Sequence, residues 1–578
     1  MELTHQSDTS ASASSHPIND GISASTITAA QSAAPSVSRR GFFSRAAVLA
    51  AASATGASVA RAAATKDVLT RALADADSTR RGRALTARLL AAKAVLDLPA
   101  TVAHPVNSDE NLPGFPGNFA KALPHTLSGS VDPAAYAALR KACISGAEAD
   151  FALIPLGGTV KLANPEAAWA FSLEAGDPFD FAVRAAPSVS SAETAGEMVE
   201  LYWHALLRDV PFANYTSSAD ATAACVDLSL LSDFRGPKQT SATGQTVVTP
   251  STLFRGSFPG ALVGPFLSQY LFKTIPYGPT SIPQKYAVPA AGVDFMTTTA
   301  EWLAVQNGSP RTNPSLSAVP RHLINARDLG EYVHTDFSYQ PYLNAALILL
   351  GAKTPLNPGN PYRTKTKEGG FATFGAPHVL DMVARIAVEA LRAAWCQKWA
   401  IHRRLRPEEF GGLVQTNVSS GRSVHPIHSD LLKSDALKRV RLNNGTALLP
   451  MAFAEGCPTH PAYPAGHATI AGACVTVLKA FFDATTAVAS PVEPSADGSS
   501  LLPYAGGPLT VAGELNKLAA NISLGRDMAG VHWRSDGDQG MLLGEEVALS
   551  YLRSCRGQWN EAFTGCTLTR FNGTVVTV

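Results

Sequence analysis

Lys398 and Arg406, His467 behind Pro464-Ala465-Gly466, and Arg526 with His532 are the kinds of residue that gather around a tetrahedral oxyanion. Such an ion spreads its charge over several oxygens. A dry site for it must bring Lys and Arg donors from several directions and add backbone N–H groups. Lys398 falls near the end of an expected helix and Arg406 just past it, where Pro407 turns the chain, so one short segment offers an ammonium and a guanidinium to a common point. Gly466 lets backbone approach an oxyanion without a Cβ in the way, at a helix start whose free N–H groups favour anions. His467 can exchange a proton with a ligand oxygen. Asp536 stands one helical turn after His532, where a carboxylate can hold one ring N–H and leave the other nitrogen's lone pair facing the ligand.

Each segment alone admits a plainer explanation. Basic residues at a helix end complement the macrodipole, Gly466-His467 could be a helix cap with a surface imidazole, and His532 with Asp536 could be a structural pair. The three together, in this order, point to a site.

The elements that must carry these residues are helices. Apolar spacing predicts helices over Thr65–Leu98, Pro133–Ile154, Ala192–Arg208 and Glu331–Gly351, the last with Gly351 as its C-cap. Pro377 opens the strongest one, running towards Leu405 with Val379, Val383, Ile386, Leu391 and Trp395 near one face. Further helices are expected over Ala465–Asp483, Leu509–Ser523 and Asp536–Arg553. Strand signals are few: Thr246-Val247-Val248 is a short strand in a Thr/Gly/Pro-rich stretch, and 484–508 is a Ser/Pro/Gly loop. The expected fold class is therefore mainly α, helical bundles joined by long loops. We divide the chain into an N-terminal segment 1–62, a helical region 63–350 and a helical region 351–578 that carries the site.

The 578-residue chain is 46% apolar and 16% charged, as suits a globular enzyme with a large core. A net charge of +1 leaves no electrostatic footprint for nucleic acid. Ser38-Arg39-Arg40-Gly41-Phe42-Phe43, followed by the small apolar run Ala46 to Ala60 and the cleavage-like Ala60-Arg61-Ala62, is a twin-arginine export signal by pattern. The run is too short and alanine-rich to span a membrane. On this reading the mature protein starts near Ala63 and works in the periplasm or outside the cell. The seven cysteines show no CxxC or Cys/His zinc spacing; Cys555 and Cys566 could bridge in an oxidising compartment, and buried free thiols are the alternative.

Written as K-x7-R-P, P-A-G-H and G-R-x5-H-x3-D, the three segments resemble the signature shared by vanadium-dependent haloperoxidases and type 2 phosphatidic acid phosphatases. The eight-residue step from Lys398 to Arg406 is similar to the bromoperoxidase branch of red-algal and cyanobacterial type. Phe254-Arg-Gly-Ser257, Val263-Gly-Pro-Phe266, Lys398–Gly412 and Gly525–Asp536 extend the likeness. The resemblance implies vanadate, one per subunit, with Lys398, Arg406, Arg526 and the Gly466 N–H on its oxygens, His532 as vanadium ligand and His467 as acid–base group. It places His460 and Trp395 on the halide side, and puts His460, Lys398 and Asp536 with His467 in the catalytic set. In one respect the chain departs from the pattern: Ala465 stands where most relatives have serine.

The implied activity is oxidation of bromide and iodide by hydrogen peroxide to hypohalous acid, which halogenates small organic acceptors, with no redox change at the metal. It further implies homo-oligomeric assembly. The alternatives are a phosphatase of the same superfamily using a phosphohistidine at His532, and a non-catalytic oxyanion-binding protein, for which Ala465 is the sole hint.

Overall fold

The helix Gly466–Phe481 is the axis on which the site is built. All of its 16 residues except His467 are buried. It packs against the helices Arg534–Cys555, Ala376–Trp395 and Val511–Met528. Small residues make that packing possible. A Cβ on Gly472 would lie 2.1 Å from the Met541 carbonyl oxygen, and one on Gly544 would lie 1.9 Å from the Thr469 oxygen, so the helices Gly466–Phe481 and Arg534–Cys555 touch backbone to backbone. Where they begin, the Ala465 N–H donates to the Asp536 carbonyl at 2.9 Å, which sets Gly466 and His467 beside the His532 turn.

This computed structural model describes residues 68–73, 79–97, 102–241 and 243–578. The twin-arginine segment, the apolar run after it and the expected cleavage site lie outside them. The described part is mainly helical, as expected, and its strands form four isolated two-stranded antiparallel hairpins. One is the expected pair around Thr246–Val247, joined to Gln239–Thr240. Another, Val492–Pro494 with Leu501–Pro503, lies within what the sequence suggested was an open loop. One apolar cluster runs from Val183 to Val578, and a smaller one gathers Phe119, Tyr136 and Leu139 around Trp399. The division after residue 350 falls inside the larger cluster.

Three departures from the expected helices have a local cause. The Pro133–Ile154 stretch stops at Ser145, because Gly146 turns left-handed at φ 62° and its N–H closes on the Ala142 carbonyl. The Glu331–Gly351 stretch is two helices, Ala326–Thr335 and Gln340–Gly351. Pro341 sits in the first turn of the second, where its missing N–H costs nothing, whereas inside one continuous helix it would remove a bond. Ala352, not Gly351, caps that second helix.

The third difference carries Lys398. The α geometry from Ala376 ends at Trp395, and Cys396–His402 continue as a π-helical turn. A looser turn spreads successive residues over less of the circumference, and here Cys396, Gln397, Lys398 and Trp399 are all buried together. Arg403 then turns left-handed at φ 46°, and extended Arg406 caps the next helix, Pro407–Ser420.

All seven cysteines are free and buried, Cys555 and Cys566 included, so the bridge the sequence allowed is absent. Among the described residues no helix is long and apolar enough to cross a membrane.

Candidate active site: a cradle of buried cations

Arg406 is the hub. Its guanidinium is fully buried and donates to the backbone oxygens of His460 at 2.8 Å and Val531 at 2.7 Å. It also donates to two imidazoles, Nε2 of His532 and Nδ1 of His460, both at 2.9 Å. Since arginine only donates, both ring nitrogens are acceptors. On its other side the Arg406 N–H is held by Glu409 Oε2 at 2.6 Å. Burial pushes the Glu409 carboxyl up to about 7, against the bonds it receives from the Arg406 and Ala120 N–H groups.

Lys398 is 0% exposed and its ammonium donates to the carbonyls of Pro461 and Ala462, both at 2.7 Å. Arg526 comes from the last turn of Val511–Met528, which runs past Ser523, and donates to the Val333 carbonyl at 2.7 Å. Its guanidinium lies over the Phe453 ring at 5.7 Å, and its buried Nε has no partner. Burial acts on all three cations, and Arg406 repels the other two. Lys398 is held well below the usual lysine value by burial and by Arg406, and Arg526 is pushed down to about 10 by the same two causes.

His532 is fixed from behind. Its Nδ1 donates to Asp536 Oδ2 at 2.8 Å, which leaves the Nε2 lone pair on the Arg406 side. Burial, then Arg406 and Lys398, hold its pKa well below the ordinary value, so the ring is neutral. Asp536 therefore acts through His532 and not at the cradle itself. His460 is likewise kept neutral, by desolvation and then by Arg406 and Lys398. It faces the Trp395 ring at 4.7 Å between centroids. A Cβ on Gly466 would meet that same indole at 3.4 Å, so Trp395 lies between Gly466 and His460. The Gly466 N–H opens its helix and has no partner within it.

His467 lies at the open edge, with 29% of its side chain exposed, and its hydrogen bond goes to Asp336 Oδ1 at 3.0 Å. Ala465 is buried at the helix N-cap and offers no side-chain hydrogen bond.

The structure thus gathers Lys398, Arg406, Gly466, Arg526, His532, His460 and Trp395 around one point, with Asp536 behind and His467 at the rim. Sequence reasoning missed three supporting residues. Asp336 was hidden in a stretch that looked like unbroken helix. Arg404, which donates to Asp536 Oδ1 at 2.9 Å, was hidden in a basic run. Glu197, bound to Arg404 at 2.9 Å, lies on the buried helix Ala192–Leu206, where glutamates at 193, 197 and 200 recur at helical spacing in an otherwise apolar sequence. That recurrence was the available signal.

Three buried cations whose partners are carbonyls and neutral imidazoles, one orphaned guanidinium nitrogen, and an imidazole nitrogen whose lone pair is held by Arg406 alone suit a multiply charged oxyanion with a ligand position at its centre. Among the described residues no group of three or more His, Cys, Asp or Glu could hold a bare metal cation.

A family model described as the second helical-bundle domain of VCPO matches residues 385–561, a span that holds every cradle group named above. The chain is 36% identical to the vanadium-dependent bromoperoxidase of Corallina pilulifera, with 82% of this chain and 92% of that protein covered. It is 35% identical to that of Ascophyllum nodosum, covering 81% and 87%. Among solved structures, the homohexameric second vanadate-dependent bromoperoxidase of Ascophyllum nodosum superposes with a TM-score of 0.81 at 29% identity, over 86% of this chain and 92% of that one.

Proposed function

Because the chain belongs to the vanadium-dependent bromoperoxidase family, we propose that it oxidises bromide, and iodide, with hydrogen peroxide to hypohalous acid, which then halogenates small organic acceptors. The observation that carries this is the meeting of Arg406 with both His532 Nε2 and His460 Nδ1 at 2.9 Å. It puts a cation, a candidate metal ligand and the bromoperoxidase-type histidine at one buried point.

Lys398, Arg406, Arg526 and the Gly466 N–H would hold the oxygens of vanadate, one per subunit, and His532 Nε2 would bind its vanadium. When bound, vanadate supplies a Lewis-acidic centre that activates hydrogen peroxide with no change of oxidation state. The protein's part is charge and proton management. The cations are desolvated and held before substrate arrives, so they stabilise negative charge with little reorganisation beyond the release of His532 Nε2 by Arg406. His467, with Nε2–H donated to Asp336, keeps a lone pair on Nδ1 that can take a proton from incoming peroxide and return it to the leaving oxygen. His460 and Trp395 form the wall past which halide approaches.

The Ser38–Phe43 motif supports export by the twin-arginine route, and hence work in the periplasm or outside the cell. The hexameric Ascophyllum relative supports a homo-oligomer.

The test is direct. Purified protein reconstituted with vanadate is assayed for peroxide- and bromide-dependent halogenation of an activated diketone, and the vanadate-free protein for phosphomonoester hydrolysis. Hydrolysis with no halogenation would replace this reading by the phosphatase one.

A further inference from the structure

Arg404 never faces the cradle, yet it is bound to the carboxylate that stands behind His532. It is 1% exposed and its NH1 donates to Asp536 Oδ1 at 2.9 Å and to Ser535 Oγ at 2.8 Å. Its NH2 donates to Glu197 Oε2 at 2.9 Å, and its guanidinium lies 4.8 Å from the Trp533 ring. Glu197 Oε1 in turn accepts the Ser535 N–H at 2.6 Å. Asp536 spends Oδ2 on His532 Nδ1 at 2.8 Å and on the Trp533 N–H at 3.1 Å. Neither carboxylate oxygen can turn away without giving up a charged or backbone donor. The backbone of Arg404 reaches the other side of the cradle: its carbonyl accepts the Ala462 N–H at 3.0 Å, and the Ala462 carbonyl holds the Lys398 ammonium at 2.7 Å.

We infer that Arg404, braced by Glu197, is a positioning residue for the reaction: by occupying Oδ1 of Asp536 it commits Oδ2 to the Nδ1–H of His532 and so, opposite the Arg406 donor on Nε2, helps fix the tautomer and aim of that ring. This rests on reading His532 as the residue that binds the oxyanion centre. The physical need is clear from the alternatives open to Asp536. Without a cation on Oδ1, the carboxylate would be free to rotate or to draw the imidazole proton further, and either change alters the ligand nitrogen. The pair also balances itself. Glu197 and Arg404 together add no net charge behind Asp536.

Removing Arg404 alone strands two carboxylates in the interior and threatens folding. The informative variant is therefore the charge-balanced E197Q/R404M, in which the amide oxygen that replaces the Glu197 carboxylate can still accept the Ser535 N–H. Two measurements are made on the vanadate-free protein, so neither depends on turnover: 15N NMR of labelled histidine, to read the His532 tautomer, and calorimetric titration with inorganic phosphate. Wild type is expected to show a single Nδ1–H tautomer, and the double variant a mixture, with phosphate affinity lower by roughly ten- to a hundredfold, the range found when partners behind a metal ligand are lost. Arg404→Lys should keep most of the single-tautomer signal through its charge.

A double variant that folds, keeps the wild-type tautomer and binds phosphate as wild type does would overturn the inference. So would weakened phosphate binding with an unchanged His532 spectrum, which would assign Arg404 a merely structural part. A wild-type protein that, loaded with vanadate, oxidised no bromide would overturn the family-based function while leaving this tautomer measurement intact.

Discussion

Asp336 and His467 meet at 3.0 Å across 131 residues of sequence. Asp336 is free to do so only because the helix Ala326–Thr335 ends one residue before it. The carboxylate accepts a hydrogen bond from Nε2–H of His467 and thereby decides which ring nitrogen is left to do chemistry.

Asp336→Asn should therefore impair proton transfer more than anion binding. We expect kcat for bromide oxidation to fall by about ten- to a hundredfold, part of the ~10²–10⁴ that a positioned acid–base group contributes. Phosphate binding by the vanadate-free protein should stay within twofold or so. Equal losses in both would show that Asp336 organises the whole cradle.

Arg526 tests the opposite balance. It is buried beside Arg406, whose repulsion the nearby Asp336 and Glu455 offset only in part. Arg526→Met should cost oxyanion affinity by about 1.5–3 kcal/mol, as for a hydrogen bond from a charged donor. In the anion-free protein its unfolding temperature should be unchanged or higher. A lowered unfolding temperature with unchanged affinity would show that Arg526 is structural.

The same electrostatics give a pH dependence whose sign is fixed. Lys398, held well below its usual value by burial and Arg406, and Arg526, at about 10, both lose charge as pH rises. Affinity for sulfate, whose own charge is constant in this range, should fall as pH climbs towards and through about 10. A flat profile to about pH 11, roughly one unit beyond that value, would contradict the placement of these groups.

His334 should govern alkaline stability. Burial opposes its charge, but bonds to Glu331 and Glu455 hold its pKa up at about 9, above the ordinary 6.5. A raised imidazole pKa stabilises the fold fully below the unfolded value and ceases to do so as pH rises through the folded one. Melting temperature should thus drop between pH 6.5 and about 9, and His334→Gln should flatten that drop. Unchanged curvature in the variant would place its origin elsewhere.

Ala465→Ser supplies the hydroxyl that this N-cap lacks. Two gains are expected: about 0.5–1 kcal/mol of stability from capping, and about 1 kcal/mol, roughly fivefold, in oxyanion affinity from one neutral hydrogen bond. Denaturant unfolding without ligand and phosphate titration separate them; a gain in stability alone would mean the hydroxyl turns to the backbone N–H groups.

Much of this site was legible in the sequence because its groups are carried by compact local patterns. Lys398 to Arg406 spans one turn and a proline, Gly466-His467 opens a helix, and Arg526 to Asp536 spans a helix end and the next helix start. Each spacing constrains geometry on its own. The supports were not legible, since they arise from packing between distant segments. Nothing local ties Glu197 or Asp336 to residues far along the chain, and a break between two periodic stretches is hard to see when both share a register. The π-helical turn at Lys398 escaped for a related reason: its cause is the burial of four successive side chains, which only the folded core reveals.

The bare-backbone contact of Gly472 and Gly544 with the facing helices has a consequence for how this enzyme can change. A single methyl at either would act as a wedge, prising apart two helices, one of which carries His467 in its first turn while the other starts just after His532. Sequence drift at the wall formed by His460 and Trp395 can proceed one side chain at a time. Drift at this seam cannot, so it marks where the architecture is least open to evolutionary or engineered revision.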